Sequence, residues 1–403
     1  ALIADLILAA CAVPETPTPQ PSDGKSGGGG GAAPKENTVT DVKISAEQSA
    51  TIKAGGKAVI TVPSVPNAAA YTVELPAEAL SNTGGQGSLT MRTEIGSVVL
   101  PANMLTNMGA AGKTAELSIS AGDRAALSEA TRTAIGNHPM IQLTLKIDGK
   151  EVSWNNPEAP VAVSIPYTPS AAELANPEGI VIWYIDGSGN AVSVPNGHYD
   201  PAAGTVTFTT IHFSDYAVGY HKVSFSDVSA NAWYGKAVSF LAARNITTGT
   251  GNGNYSPKAA LTRGEFIVML MKAYGIAPDT NAANNFSDAG NTYYTNYLAA
   301  AKKLGVSNGV GGDRFAPGRQ ITRQEMFTLL YNALKVMGHL PKGNEGKDLA
   351  AFSDSGDIAP WAKDAMALLV KTGTAGGSGG KLSPAAVTTR AEMAQVLYNL
   401  LSK

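Results

Sequence analysis

The sequence predicts a chain of several domains, an N-terminal all-β, sandwich-like region followed by an α-helical array of one repeated unit. Two observations carry this. Between residues 38 and 221, short β-branched or alternating runs recur between Gly- and Asp-containing turns. Between residues 222 and 403, one pattern with amphipathic helical spacing occurs three times.

The β region comes first. Ala58–Val62, Tyr71–Leu75, Ile141–Ile147, Val161–Ile165 and Thr205–Thr209 read as strands, and Asp148-Gly149 and Asp186-Gly-Ser-Gly189 as hairpin turns. One helical segment is expected at about Ala121–Ile135. Many short strands with few helices favour one β-sandwich or two small ones.

The repeats follow. Copy one opens at Phe225-Ser-Asp227 and reaches Leu261-Thr-Arg263-Gly-Glu265. Copy two runs from Phe286-Ser-Asp288 to Ile321-Thr-Arg323-Gln-Glu325, and copy three from Phe352-Ser-Asp354 to Thr388-Thr-Arg390-Ala-Glu392. Phe and Arg lie 38, 37 and 38 residues apart. In copy one a first helix is expected near Trp233, with Ala237, Phe240 and Leu241 on its buried face; Trp361, Ala365, Leu368 and Leu369 repeat the spacing in copy three. A Gly-rich loop comes next, and then Thr-Arg-x-Glu, which is a capping box: Thr at the N-cap, Glu three residues on. The second helices should bury Phe266, Met269, Leu270 and Ala273, or Met393, Val396, Leu397 and Leu400.

The capping box places Arg263, Arg323 and Arg390 at the first helical position. A guanidinium there sits beside the free amides of a helix N-terminus, a setting that favours carboxylate or phosphate. Three such sites point to a repetitive acidic polymer. The alternative is that each Arg pairs locally with Asp227, Asp288 or Asp354.

These motifs resemble three S-layer homology domains, whose hallmarks are the Phe-x-Asp opening and the Thr-Arg-Ala-Glu helix start. The resemblance implies a pseudo-threefold bundle of helical prongs that binds secondary cell-wall polysaccharide, often carrying pyruvate ketals, in grooves between prongs. It implies polymer-binding roles for Arg263, Arg323 and Arg390, for the aromatics Trp233 and Trp361, and for Asp227, Asp288 and Asp354. Copy two has Tyr293 and Tyr294 where a Trp is expected, so the groove of Arg323 is expected to lack an indole. The repeats are set at 222–275, 283–338 and 349–403, after a 38–221 spacer or display region. That region resembles the β-rich spacers of Firmicute exoproteins, a resemblance that brings no activity with it.

Charge agrees with an anionic partner. Residues 222–403 hold 19 Lys and Arg against 12 Asp and Glu; residues 1–221 hold 11 against 20. A basic half facing an acidic wall polymer, itself associated with peptidoglycan, steers association. No helix rich in Lys and Arg is visible, so nucleic acid is not an expected partner. A single Cys rules out an internal disulfide.

At the N-terminus, Leu8-Ala-Ala-Cys11 resembles a lipobox but lacks a basic region before it. Residues 1–13 read instead as the tail of an upstream helix. Pro14–Pro21 and the five glycines from Gly27 read as a stiff and then a flexible spacer, giving a linker over 1–37. No later stretch is long and apolar enough to span a membrane.

Catalytic signals are thin. His138, His198, His212, His221 and His339 fall in no metal-ligand spacing, no cofactor is expected, and no Gly-x-Ser-x-Gly elbow appears. His212-Phe-Ser214 resembles the self-cleavage site of some β-sandwich domains; a locally paired His and Ser is the plainer reading. The expectation is a non-enzymatic wall anchor. Its alternatives are the anchor of a hydrolase lying upstream, or a self-associating lattice subunit.

Overall fold

The computed structural model describes residues 38–280 and 283–403. The expected spacer over 1–37, with Cys11, lies outside them.

Residues 38–220 build two sheets from β1 (Thr38–Lys43), β2 (Lys57–Thr61), β3 (Ala68–Pro76), β4 (Ser88–Arg92), β5 (Ser97–Pro101), β6 (Thr114–Ala121), β7 (Met140–Ile147), β8 (Lys150–Val152), β9 (Val161–Pro166), β10 (Ile180–Ile185), β11 (Ala191–Val194), β12 (His198–Asp200), β13 (Thr205–Thr210) and β14 (Asp215–Tyr220). One sheet runs β1-β3-β6-β7-β14-β10-β11, with β8 on β7; the other runs β12-β13-β9-β5-β4-β2. Pairing is antiparallel except β1 with β3 and β2 with β4. Alternation sets the inner faces. Ala115, Leu117 and Ile119 of β6 and Val161, Val163 and Ile165 of β9 are buried in one shared core. Each large aliphatic side chain there contributes roughly 1.5–3 kcal/mol of burial.

The five expected strands and both hairpin turns are present, joining β7 to β8 and β10 to β11. The single helix expected at Ala121–Ile135 is corrected. Ala121 ends β6, a 3₁₀ turn covers Arg124–Ala126, and the helix proper, α2, is Glu129–Ile135, capped by Ser128. Two helices were not expected, α1 (Ala46–Lys53) and α3 (Ala171–Leu174), both with Ser-x-x-Gln/Glu capping boxes. β10 lacks alternation because both its faces are covered. Ile180 and Ile182 enter the inter-sheet core, while Val181, Trp183 and Ile185 pack with Leu127 and Ile135 on the far side.

The repeats supply paired helices: α4 (Gly235–Ala243) and α5 (Arg263–Ala273), α6 (Thr295–Leu304) and α7 (Arg323–Met337), α8 (Lys363–Lys371) and α9 (Arg390–Leu401). The first helix of each repeat packs mainly on another repeat's second helix: α6 on α5, α8 on α7, and α4 on α9. The backbone closes the same circuit. Leu261 N donates to Thr388 O, Thr388 N to Ile321 O and Ile321 N to Leu261 O, at 2.8, 2.9 and 3.0 Å. Ala237, Phe240, Leu241, Phe266, Leu270, Met393 and Leu397 are buried as expected. Trp233 and Trp361 are not part of that stripe. They precede α4 and α8 and remain 61% and 57% exposed.

The β region and the first repeat share a buried cation. Arg244, at the end of α4, is 2% exposed. Its guanidinium donates to Glu178 O, Ile180 O, Gly197 O and Phe240 O at 2.6–3.0 Å. Burial pulls its pKa down to about 9, so it stays charged at neutral pH.

Candidate functional site

Each repeat ties its Phe-Ser-Asp opening to the loop before its second helix. Both oxygens of Asp227 accept backbone N–H bonds, from Tyr255 and Ser256 at 2.8 Å each. Asp288 does the same with Phe315 and Ala316, and Asp354 with Leu382 and Ser383. The second residue of each pair is left-handed and precedes Pro, with φ of 57°, 57° and 51° at Ser256, Ala316 and Ser383. A non-glycine residue is strained there by about 1–2 kcal/mol, and the carboxylate fixes its amide. The amide bonds hold Asp227 and Asp354 below the usual carboxylate range; at Asp288 burial opposes the shift, and the amides of Phe315 and Ala316 outweigh it.

The Asp side chains are thus loop clasps. The alternative that they pair with the helix-start Arg residues is corrected: no Arg263, Arg323 or Arg390 ion pair to Asp is present among the described residues.

All three Thr-Arg-x-Glu boxes cap as expected, with Arg263, Arg323 and Arg390 opening their helices. The open amides expected beside them are closed, however. The N–H groups of Arg263, Arg323 and Arg390 donate to Arg319 O, Ala386 O and Ala259 O at 2.9–3.0 Å. The next amides donate to Pro317 O, Pro384 O and Pro257 O. Neighbouring repeats therefore fill the helix N-termini, and only the guanidinium groups are left to meet a ligand.

Those arginines are buried, at 4%, 8% and 5% whole-residue exposure for Arg263, Arg323 and Arg390. Each Nε donates to a carbonyl of another repeat: Phe315 O, Leu382 O and Tyr255 O respectively, at 2.7–2.9 Å. Beyond that the three diverge. Arg323 reaches Glu392 Oε1 at 2.7 Å and Gly376 O at 2.9 Å. Arg390 reaches Glu265 Oε1 at 2.8 Å. Arg263 should meet Glu325 by the same rule, but Glu325 Oε1 is held by Arg319 at 2.6 Å. Among the described residues Arg263 has no ion pair. Burial, and then the nearby charge of Arg319, pushes its pKa down.

Sequence reasoning missed Glu265, Glu325, Glu392 and Arg319. It read the glutamates only as caps. Yet a carboxylate has two oxygens: Oε2 caps the Thr amide and hydroxyl, and Oε1 stays available for a cation.

Arg263 lines a groove of about 630 Å³ with Arg319, Glu325, Asn332, Lys335 and Trp361. Arg263, Arg319 and Trp361 come from three different repeats. Tyr293 lies within electrostatic reach of Glu265 and Arg390, and Trp233 precedes α4, which packs on α9, the helix of Glu392. In the Arg263 groove the aromatic side chain comes from the third repeat, as Trp361, and not from that arginine's own repeat. The groove with tyrosine is that of Arg390.

At the His-Phe-Ser motif, Ser214 Oγ donates to Ile185 O at 3.1 Å, while His212 packs edge-on against Tyr184. Among the described residues no three His, Cys, Asp or Glu side chains could share a metal, and no helix is long and apolar enough to cross a membrane.

Residues 224–267, 285–327 and 351–394 match the S-layer homology domain. The chain is 30% identical over 245 residues to an amylopullulanase of Thermoanaerobacterium thermosulfurigenes, covering 60% of this chain and 13% of that protein. It is 32% identical over 237 residues to exoglucanase XynX of Acetivibrio thermocellus, covering 58% and 20%. It is 29% identical over 202 residues to S-layer protein EA1 of Bacillus anthracis, covering 50% and 23%. The matched part is thus less than a quarter of each relative's own length.

Proposed function

Because this chain carries three S-layer homology domains, which place it at the cell surface or wall, we propose that it anchors an exported protein by gripping an anionic, pyruvate-bearing secondary wall polysaccharide. The observation that carries this is Arg263: a buried guanidinium without an acid partner, in a groove walled by the exposed Trp361. A carboxylate on a sugar would satisfy the cation, and the indole offers a face for the ring. The basic excess of residues 222–403 would draw such a polymer in. We read the repeats as a pseudo-threefold bundle, a reading supported by the closed amide circuit of Leu261, Ile321 and Thr388. Residues 38–221 are a spacer or display region, and the chain itself is not an enzyme. S-layer proteins among the relatives favour one wider reading, a lattice subunit, which electron microscopy of dialysed protein tests.

The deciding experiment is sedimentation of the whole chain with purified walls. Binding to walls that keep their polysaccharide, lost after hydrofluoric acid stripping, is expected. Equal binding to bare peptidoglycan would sink the proposal.

A further inference from the structure

Arg319 distinguishes one groove from the other two. In the remaining repeats its position holds Ala259 and Ala386. There the capping glutamate's second oxygen is free, and it neutralises the buried Arg: Glu392 on Arg323, Glu265 on Arg390. Arg319 captures Glu325 instead, at 2.6 Å. The groove lining then holds Arg263, Arg319 and Lys335 against Glu325 alone. Arg263 is 4% exposed as a residue and, among the described residues, has no ion pair; a guanidinium so placed carries a desolvation cost that an incoming anion relieves.

Resting on the anchoring function above, we propose that Arg319 is the specificity-determining residue of this chain: by holding Glu325 away, it leaves the Arg263 groove open to the carboxylate of an acidic sugar stacked on Trp361. The other two Arg residues are self-neutralised and act as clasps between repeats. An acid entering their grooves must first displace Glu392 or Glu265, so the polymer engages mainly the Arg263 groove. Its volume of about 630 Å³ lies within the range of roughly 300–1,000 Å³ common for small-ligand sites.

The test is calorimetry of the whole chain with a methyl hexoside bearing a 4,6-pyruvate ketal, with the ketal's methyl ester as uncharged control. Wild-type protein should bind the acid at one site and the ester at least about tenfold more weakly, the loss of one charge-assisted contact. Arg319→Ala installs the residue already tolerated in the other repeats. It should free Glu325 to pair with Arg263 and weaken binding about tenfold or more by the same contact, with a melt no lower than wild type. Arg319→Ala with Glu325→Gln should recover binding, since Gln keeps the cap but cannot neutralise Arg263. Unchanged affinity in Arg319→Ala, or a loss that the double variant fails to recover, would overturn the proposal. Wall sedimentation of the same variants separates the two levels. If wild type binds walls and Arg319→Ala binds equally, the anchor stands and the role of Arg319 falls. If wild type binds no wall, the anchor itself falls.

Discussion

Arg390 donates to Glu265 at 2.8 Å although 125 positions separate them in the chain. The third repeat is thereby fastened to the first, and the guanidinium also takes Tyr255 O at 2.9 Å. Arg323 fastens the second repeat to the third through Glu392. Arg263 is the member of this set whose acid has been taken by Arg319.

That difference separates affinity from stability. Arg390→Ala should leave the half-buried Glu265 and the Tyr255 carbonyl short of a partner, and losing a hydrogen bond to a charged group costs on the order of 1.5–3 kcal/mol, with the stranded carbonyl adding to it. Its melting temperature should fall clearly. Arg263→Ala breaks no ion pair but strands the Phe315 carbonyl, at about 1–3 kcal/mol, so it should lose less stability than Arg390→Ala while losing wall binding. Thermal melts beside wall sedimentation check both; a stable Arg390→Ala protein would remove the clasp role.

Much of this was legible in the sequence and some was not. The capping boxes were plain because Thr, Arg and Glu keep a fixed local spacing, and each box forms as read. The strands β7 and β9 alternate, so their inner faces could be named. β10 could not, since Trp183 and Ile185 on one face and Ile180 and Ile182 on the other are all covered. Groove membership was hidden for a different reason. Trp361 and Arg263 share a groove only because α8 packs on α7, and no local spacing reports which repeat's helix a neighbour chooses. Arg319 was visible as a residue, but its effect depends on the distance to Glu325.

Arg244 ties the β region to the helical repeats through carbonyls of Glu178, Ile180 and Gly197. Arg244→Met keeps much of the volume and strands those acceptors. Leaving buried acceptors unmade costs about 1–3 kcal/mol each, so a loss of roughly 3 kcal/mol or more is expected. Calorimetric unfolding should also split, with the β region and the repeats melting apart. A single unshifted transition would contradict the shared-cation interface.

The Asp clasps make the repeats acid-sensitive. Asp227, Asp288 and Asp354 have folded pKa values below their ordinary 3.8. A group whose pKa is lowered on folding contributes stability that is present above the unfolded value and lost as pH falls through the folded one. Stability of the repeats should therefore decline from about pH 4 downward. Asp354→Asn, which can offer only one carbonyl oxygen to the Leu382 and Ser383 amides, should lower stability at pH 7 and flatten that decline. Denaturant midpoints of both proteins between pH 7 and pH 3 check the sign.

Self-cleavage at Phe213–Ser214 is not expected. A serine attacking the preceding carbonyl needs a free hydroxyl and a base beside it, yet Ser214 Oγ donates to Ile185 O and Phe213 packs at a tilt against Trp154, ring centroids 4.6 Å apart. Intact mass after long incubation should show one species. Two fragments meeting at that bond, absent in Ser214→Ala, would overturn the reading.

Thr388 offers a stabilising change. It stands in the amide circuit where the other repeats place Leu261 and Ile321, and it is fully buried. Its backbone is satisfied, but among the described residues its hydroxyl has no hydrogen-bond partner. Burying such a hydroxyl costs about 1–3 kcal/mol. Valine has nearly the same shape and stays within the β-branched preferences of this extended segment. Thr388→Val should therefore stabilise the protein by about 1 kcal/mol, the scale of a single removed polar defect. Thr388→Ile carries an extra methylene into a packed centre, where overpacking costs typically about 1–3 kcal/mol, so its gain should be smaller or reversed. Chemical denaturation of the two variants, with unchanged slope, measures both. A Thr388→Val protein less stable than wild type would mean that the hydroxyl is partnered in solution and that the three repeats meet less symmetrically than Leu261 and Ile321 imply.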